Sequence, residues 1–323
     1  MQSSLKILIL GAGAVGGYYG LRLLQAGADV QFLVRSRRAQ QLQQRGLVVS
    51  GAVNLRQTVR CITQEALQQT EPGSHGFDLI LLSCKAYDLD NAMDSIAPAV
   101  GKQTLIVPLL NGMAHLNTLD QRFGVAHVSG GSCWLAGSLD KEGGIQLMSG
   151  MHRIVFGVRP GNLAHASDSL QQLQQRFAST PVPALLSGNI LQEMWDKYVL
   201  LCSAAAMTCL MRGAVGDIMQ SEDGQALTEA MLQTCASVAK QAGHGLKKEA
   251  LQGIRDWLTE PGSLFTASML RDIEAGHRTE AAHIVGDMLR RARAGSVECA
   301  VLGTAWAHLQ TYEARRLAQR LPT

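Results

Sequence analysis

A glycine-rich hexapeptide near the start of the chain constrains the fold more than any other feature. It follows an apolar run at Lys6–Leu10 and opens a stretch with helical character. In such a strand-turn-helix unit, the first glycine permits a tight turn, the second lets a pyrophosphate approach the backbone, and the third lets the helix pack closely on the strand. With the helix N-terminus facing the pyrophosphate, the motif predicts a dinucleotide site on a Rossmann fold. Its residues are Gly11, Ala12, Gly13, Ala14, Val15 and Gly16.

Short β-rich runs alternate with helical stretches up to about Val182. The runs lie at residues 6–10, 29–34, 78–84 and 104–109. This alternation predicts a parallel, doubly wound sheet. Two further β-like stretches, at 127–136 and 144–158, have no helix between them, and we expect them to be an antiparallel extension of the same sheet.

The remainder of the chain has a different pattern. From Ile190 onward apolar residues recur at helical spacing and strand-like alternation is absent, which predicts an α-helical domain. A length of 323 residues also favours two domains over one. We therefore predict an α/β protein with a Rossmann-type dinucleotide-binding domain at 1–186 and an all-helical domain at 187–323 for substrate binding or dimerisation. The boundary follows from the breaks at Pro181, Pro183, Ser187 and Gly188.

The end of the second predicted strand indicates which dinucleotide binds. An NAD site usually has an acidic residue there to hydrogen-bond the ribose 2′-hydroxyl, but this chain reads Arg35-Ser36-Arg37-Arg38. Arg35 can meet a 2′-phosphate with a planar, bidentate fork, and the next three residues could add donors. Alternatively, Arg37 and Arg38 only begin a solvated helix. We expect NADP(H) as the cofactor.

Composition and charge argue against several other classes of protein. Hydrophobic residues make up 46% of the chain, which favours packed cores over disorder. The net charge is +3, and the basic clusters near residues 290 and 316 fit solvated helix faces better than a nucleic-acid surface. The nine histidines show no metal-ligand spacing, so no metal is assigned.

The cysteines and the absence of a membrane-length apolar segment indicate where the protein resides. The seven cysteines are odd in number and never form a C-x-x-C pair, which favours reduced thiols. The sequence lacks a charged region followed by a signal-peptide cleavage site. We predict a cytoplasmic location.

Together with the glycine-rich turn and Arg35, several further motifs resemble the ketopantoate reductase (2-dehydropantoate 2-reductase) family over nearly the whole chain. They are Cys84-Lys85-Ala86-Tyr87, Leu110-Asn111-Gly112-Met113, Trp195-Asp196-Lys197, Ser268-Met269-Leu270-Arg271-Asp272-Ile273 and Arg278-Thr279-Glu280. This family reduces a 2-oxo acid with NADPH during pantothenate synthesis.

The resemblance implies a role for each of five residues. Lys197 would be the general acid, and Glu280 would position it and the substrate hydroxyl. Asn111 would lie beside the nicotinamide and Lys85 would line the cleft, so that each would contact both the cofactor and the substrate. Ser268 would contact the substrate carboxylate. A lysine donor suits this chemistry because hydride addition to a ketone leaves an alkoxide that must be stabilised and protonated. The alternatives are a solvated helix surface for the lysine and glutamate and a common turn pair for Asn-Gly.

The chain departs from the family at four positions that surround these residues. The asparagines that commonly follow the lysine by four and eight residues are Leu201 and Ala205 here. Phe265 replaces a further asparagine, and Ala282 replaces an acidic residue. Because steps of four stay on one helical face, the strip beside Lys197 is apolar. A site that lacks hydrogen-bond partners cannot strongly favour a hydroxylated substrate such as ketopantoate.

Three functions therefore stay open at this point. The first is NADPH-dependent reduction of a 2-oxo acid, nominally 2-dehydropantoate to pantoate. The second is a related two-domain dehydrogenase that acts on a more apolar 2-oxo or hydroxy acid, or that joins an amino acid to a 2-oxo acid as a secondary amine. The third is a nonenzymatic NADP(H)-binding sensor. We expect a small-molecule substrate and no nucleic-acid or membrane partner, and we leave a homodimer open.

Overall fold

The computed structural model of the chain describes residues 5–69 and 71–321. It divides into two compact units. The first contains the described residues up to Leu110 together with His115–Glu193, and the second contains Asn111–Ala114 and the chain from Met194 onward. This division lies after the boundary between residues 186 and 187 that the sequence predicts, and it assigns one turn from the middle of the chain to the helical unit.

Every strand that the structure describes lies in the first unit. Helices alone follow from residue 190 onward in the described chain. The strands are β1 (Lys6–Leu10), β2 (Asp29–Leu33), β3 (Leu47–Gly51), β4 (Leu55–Gln57), β5 (Cys61–Ile62), β6 (Leu79–Leu82), β7 (Leu105–Pro108), β8 (Gly130–Leu139), β9 (Ile145–Gly157) and β10 (Ala184–Leu186). The helices up to residue 178 are α1 (Ala14–Gln25), α2 (Ser36–Arg45), α3 (Gln64–Gln68), α4 (Leu89–Ile96), α5 (Ala114–Phe123) and α6 (Ala166–Ala178). The later helices are α7 (Ile190–Met211), α8 (Val215–Ile218), α9 (Gly224–Gln241), α10 (Lys248–Leu258), α11 (Ser268–Glu274), α12 (Ala281–Ala294) and α13 (Ala300–Leu317).

The first sheet is parallel, in the order β5-β2-β1-β6-β7. In chain order these are the third, second, first, fourth and fifth parallel strands, which is the Rossmann order with its switch point between β1 and β6. Strand β6 is buried at every position, as expected for a strand covered on both faces. The predicted doubly wound sheet is confirmed, and such sheets bind ligands beyond the carboxyl ends of the strands at the switch point.

Strands β8 and β9 pair antiparallel as predicted, but the prediction that they extend the parallel sheet is wrong. They belong to a second, mixed sheet in the order β10-β9-β3-β4, with β8 paired to β9. An isolated bridge between Ile106 and Val128 links β7 to the chain that leads into β8. Strand β7 ends at Pro108, which has no backbone N–H group. A further strand at this edge of the parallel sheet would therefore lack one hydrogen bond.

Helix α1 packs against both sheets, which explains why most of its length is buried. A side chain on Gly20 would overlap Phe32 and Ile9 of the parallel sheet. Toward the second sheet, the Tyr19 hydroxyl donates to the carbonyls of Trp134 at 3.2 Å and Arg153 at 2.9 Å. The glycine-rich turn is therefore held by packing on two sides.

The second unit is α-helical, as the sequence predicts. Most residues of α7 from Met194 onward are buried, on all faces of the helix, which is typical of a buried helix. The Tyr198 hydroxyl donates to the Ile284 carbonyl at 2.7 Å and to Asp287 at 3.2 Å, and Arg291 pairs with the same carboxylate at 2.8 Å. These bonds fix α7 against α12. Among the helices that the structure describes, none has the length and apolar character needed to cross a bilayer.

Candidate active site

The glycine-rich turn has the geometry that a pyrophosphate requires. Gly11 has φ +86°, a conformation that side chains disfavour, and its N–H donates to the Leu33 carbonyl at 2.9 Å. A Cβ on Gly13 would meet no atom within 4 Å, so its surface is open. A Cβ on Gly16 would lie 2.5 Å from the Gly11 carbonyl oxygen and would overlap the Ser83 hydroxyl. The three glycines thus have the roles that the motif predicts: a tight turn at Gly11, an open backbone at Gly13 and close helix packing at Gly16.

The N-terminus of α1 is also suited to an anion. Gly13 occupies the N-cap position, and within this described helix no side chain caps the terminus and the first turn contains no acidic residue. The first N–H groups and the positive end of the helix dipole can therefore meet a phosphate. Ala12 is buried, whereas Ala14 and Val15 are half-buried in the first turn. The residues present fit a dinucleotide pyrophosphate.

Two alanine variants of this turn should separate binding from folding. Gly16→Ala should lower the free energy of unfolding by about 1 to 3 kcal/mol, since its methyl group overpacks the interface between α1 and β1. Gly13→Ala, its matched control, should leave the stability within about 0.5 kcal/mol but weaken NADPH binding by about tenfold or more. Urea unfolding and fluorescence titration measure the two effects. Equal loss of stability in both variants would contradict the assignment.

Arg35 and Arg38 lie at the start of α2 in different surroundings. Arg35 is exposed at the N-cap position of α2, two residues after the buried end of β2 at Leu33. Arg38 instead turns back to the glycine-rich turn, where its Nη2 donates to the Ala12 carbonyl at 2.8 Å. Arg37 is exposed, as the solvated-helix alternative expects. Sequence reasoning left the role of Arg38 open, since nothing local distinguishes an arginine that supports the turn from one that contacts a ligand.

Lys197 and Asn111 contact one another inside the second unit. Lys197 is only 7% exposed on α7, and its Nζ donates to the Asn111 Oδ1 at 3.1 Å. Trp195, Tyr198 and Val199 are all buried around it. A buried lysine is rare unless its charge is used or compensated, so the surface alternative for Lys197 does not hold.

The Asn111-Gly112 turn packs against α12 as well. Gly112 has φ +81°, and a Cβ there would lie 3.2 Å from His283 Cδ2. The His283 ring also forms a hydrogen bond with the Asn111 backbone. Burial lowers the pKa of His283, although the carboxylates of Glu280 and Asp287 oppose that effect. Sequence reasoning found no role for His283, but its position three residues after Glu280 on a helix was the available signal.

Glu280 is 8% exposed at the N-cap position of α12. The preceding Thr279 donates to Glu313 Oε1 from its N–H at 2.8 Å and from its hydroxyl at 2.7 Å, and Arg316 pairs with the same carboxylate at 2.8 Å. Burial raises the pKa of Glu313, but the hydrogen bonds from Thr279 and Arg316 outweigh it, and the pKa lies below its usual value. This network fixes the backbone at Glu280 against α13.

Lys85 and Ser268 are the two remaining predicted site residues. Lys85 belongs to the first unit, half-buried after β6 at the start of a short turn at Ala86–Asp88. Ser268 is the exposed first residue of α11, and its side chain makes no hydrogen bond to the residues that the structure describes. The roles of both remain predictions. The described part of the chain also contains no cluster of three or more histidine, cysteine or acidic side chains that could hold a metal ion.

Comparison with known proteins identifies the family. The model described as Ketopantoate reductase PanE/ApbA matches residues 7–161, and the model for the C-terminal part of the same protein matches residues 189–313. The chain belongs to the ketopantoate reductase family. It is accordingly an NADP-dependent oxidoreductase that acts on CH–OH groups.

Individual relatives align along nearly the whole chain. The uncharacterized oxidoreductase YkpB of Bacillus subtilis is 32% identical over 97% of this chain and 100% of its own length. A 2-dehydropantoate 2-reductase of Pyrococcus horikoshii is 24% identical over 96% of this chain and 98% of its own. A solved structure of D-mandelate dehydrogenase with NADH and anilino(oxo)acetate has a TM-score of 0.83 at 21% identity, with 97% and 99% of the two chains covered. That structure has the same fold.

Three of the positions at which this chain departs from the family are at least partly buried in the structure. Leu201 is half-buried and Ala205 is 4% exposed, one and two turns after Lys197 on α7. Phe265 packs its ring on Trp257 at a centroid distance of 4.2 Å, and its carbonyl accepts from the Val215 N–H at 3.0 Å. These side chains offer packing surface rather than hydrogen bonds.

Proposed function

We propose that this chain reduces a 2-oxo acid to a 2-hydroxy acid with NADPH and that Lys197 is the general acid. The observation that carries the proposal is the hydrogen bond from the buried Lys197 ammonium to Asn111 Oδ1. The amide oxygen accepts from one of the three ammonium N–H groups and fixes the direction of the lysine side chain. Lys197 is thus held in a defined orientation from which it would donate its proton.

The residues of the second unit would act in the following way. When bound, the reduced nicotinamide supplies a hydride to the carbonyl carbon of the substrate. The carbonyl oxygen then takes a proton from Lys197 Nζ, which becomes a neutral amine and regains a proton from solvent. Because Lys197 is shielded from water, its charge stabilises the developing alkoxide more strongly than an exposed lysine would.

Glu280 supports this role as a second buried charge of opposite sign in the same unit. We propose that it positions Lys197 and the substrate hydroxyl and that its carboxylate offsets part of the cost of burying the ammonium. The bonds from Thr279 to Glu313 support the assignment, since they restrain the backbone from which the Glu280 side chain extends. Ser268 is proposed to contact the substrate carboxylate.

The cofactor residues are proposed from the first unit and from the turn after β7. The open backbone at Gly13 and the uncapped N-terminus of α1 would receive the pyrophosphate, and Arg35 would receive the 2′-phosphate. Lys85 and Asn111 would lie near the nicotinamide and the substrate.

We propose residues 1–186 for dinucleotide binding and 187–323 for substrate binding, with a cytoplasmic location. Self-association as a homodimer is tested by light scattering of the purified protein.

A second candidate substrate is favoured by one specific observation. The strip after Lys197 offers Leu201 and Ala205 where asparagines are common in the family, and Phe265 replaces a third. D-Mandelate dehydrogenase, which has the same fold, is named for a hydroxy acid with an aromatic side chain. We therefore propose an apolar 2-oxo acid as the preferred substrate, with 2-dehydropantoate as the nominal one.

The preference is tested by NADPH consumption with a panel of 2-oxo acids. Ketopantoate should be a poorer substrate by kcat/KM than its analogue without the hydroxyl, because burying an unpartnered hydroxyl costs about 1 to 3 kcal/mol. Leu201→Asn should move the ratio toward ketopantoate, whereas Leu201→Met, which keeps the strip apolar, should not. A tenfold preference of the unmutated protein for ketopantoate, about 1.4 kcal/mol, would reveal polar contacts elsewhere. Tight NADPH binding without turnover of any panel member would favour the sensor.

A further inference from the structure

His283 is an ionisable side chain of α12 that the proposed reaction does not use. It lies on the first turn of α12, three residues after Glu280, so both side chains project from nearby positions on the helix. Its ring forms a hydrogen bond with the backbone of Asn111, the residue whose side chain accepts from Lys197. A continuous series of contacts therefore joins α12 to the Lys197 ammonium.

The ring and the turn approach one another closely. A Cβ on Gly112 would lie 3.2 Å from His283 Cδ2, 3.4 Å from the His283 carbonyl oxygen and 3.5 Å from Nε2. The turn therefore rests on α12 at a residue that has no side chain and a φ of +81°. Its position depends on what α12 presents at residue 283.

We propose that His283 is a positioning residue for the general acid. Its ring N–H donates to the Asn111 carbonyl and fixes the turn, so that Asn111 Oδ1 stays within hydrogen-bonding distance of Lys197 Nζ. This inference rests on the proposed function, since it assumes that Lys197 donates the proton. It assigns His283 no contact with substrate.

The charge state of His283 agrees with this role. Burial lowers its pKa, the carboxylates of Glu280 and Asp287 and the bond to Asn111 raise it, and Arg290 lowers it, with a net value below the usual 6.5. The ring is therefore neutral near pH 7 and has a single N–H group for the Asn111 carbonyl. A neutral ring adds no second positive charge beside the ammonium of Lys197.

The test uses two replacements that differ in hydrogen bonding. His283→Phe keeps a ring against Gly112 but has no donor, and its kcat should fall by about tenfold, the scale of one lost hydrogen bond. His283→Gln replaces the ring N–H with an amide donor, and its kcat should stay within about threefold of the unmutated protein. The dissociation constant for NADPH and the melting temperature should change little in either variant. His277→Phe, at an exposed histidine on the other side of Glu280, is the matched control and should have no effect.

A double mutant tests whether His283 acts through Asn111. In an Asn111→Ala background the His283→Phe substitution should have little further effect on kcat, because the atom that it positions is already gone. Full multiplication of the two effects would overturn the inference, as would normal turnover of His283→Phe or equal losses in the Phe and Gln variants. Lys197→Ala distinguishes failure of the proposed function from failure of this inference. If Lys197→Ala keeps its turnover, the proposed function is wrong. If Lys197→Ala loses turnover and His283→Phe does not, only the role of His283 is wrong.

Discussion

Lys197→Ala should reduce turnover by about a hundredfold or more while NADPH affinity stays near its original value. The reason is that Lys197 is the buried donor of the second unit, held by Asn111 at 3.1 Å, and alanine leaves the developing alkoxide without a proton. A hundredfold corresponds to about 2.7 kcal/mol at the transition state. Steady-state kinetics with the best substrate of the panel, together with a fluorescence titration of NADPH, measures both quantities.

Two controls show whether the loss reflects proton donation. Lys197→Arg keeps the positive charge but replaces the ammonium with a guanidinium that does not release its proton, so it should be nearly as slow. Lys248→Ala removes an exposed lysine of the same unit and should leave kcat unchanged. Near-normal turnover of Lys197→Ala would show that another group donates the proton, and normal turnover of Lys197→Arg would show that only the charge matters.

Arg35→Ala should weaken NADPH binding by about 1.5 to 3 kcal/mol, or roughly 10- to 150-fold, and barely change NADH binding. Arg35 is exposed at the N-cap of α2, two residues after β2, where the 2′-phosphate of a bound dinucleotide is expected. The two cofactors differ only in that phosphate. Parallel fluorescence titrations of NADPH and NADH with the same variant therefore isolate the contact.

The matched control for this contact is Arg37→Ala, which removes the same charge from a neighbouring exposed position. If general electrostatic attraction rather than a specific contact held the phosphate, both variants would lose affinity to a similar degree, more so at low salt. We expect the Arg37 variant to retain its affinity. Equal affinity of the unmutated protein for NADPH and NADH would remove the basis for assigning the phosphate to Arg35.

Features that depend on neighbours along the chain could be predicted from the sequence. The glycine-rich turn, the parallel strands and the helical second half each arise from propensity and periodicity within a few residues. The pairing of β8 with β9 was predicted for the same reason, since a short connection favours an antiparallel hairpin. Their sheet was predicted wrongly, because the edge at Pro108 and the pairing of β9 with β3 depend on distant segments.

The candidate site was predicted only as a set of separate motifs. Resemblance suggested Lys197, Glu280 and Asn111, but their surroundings follow from packing. The contacts of His283 and Arg38 could not be predicted, because their partners, the Asn111 backbone and the Ala12 carbonyl, are backbone atoms. Every residue has a backbone carbonyl, so the amino-acid sequence does not indicate which one accepts a hydrogen bond.

The sequence by itself determined the Rossmann fold, the helical second half and the position of an arginine at the end of β2. Only the tertiary structure decided that Asn111 contacts Lys197, 86 residues away along the chain, and that the turn at Asn111–Ala114 belongs with the helices. The physical reason is range. Backbone propensity and hydrophobic periodicity act over a few residues, whereas a buried ammonium must find its partner wherever packing brings an oxygen close enough.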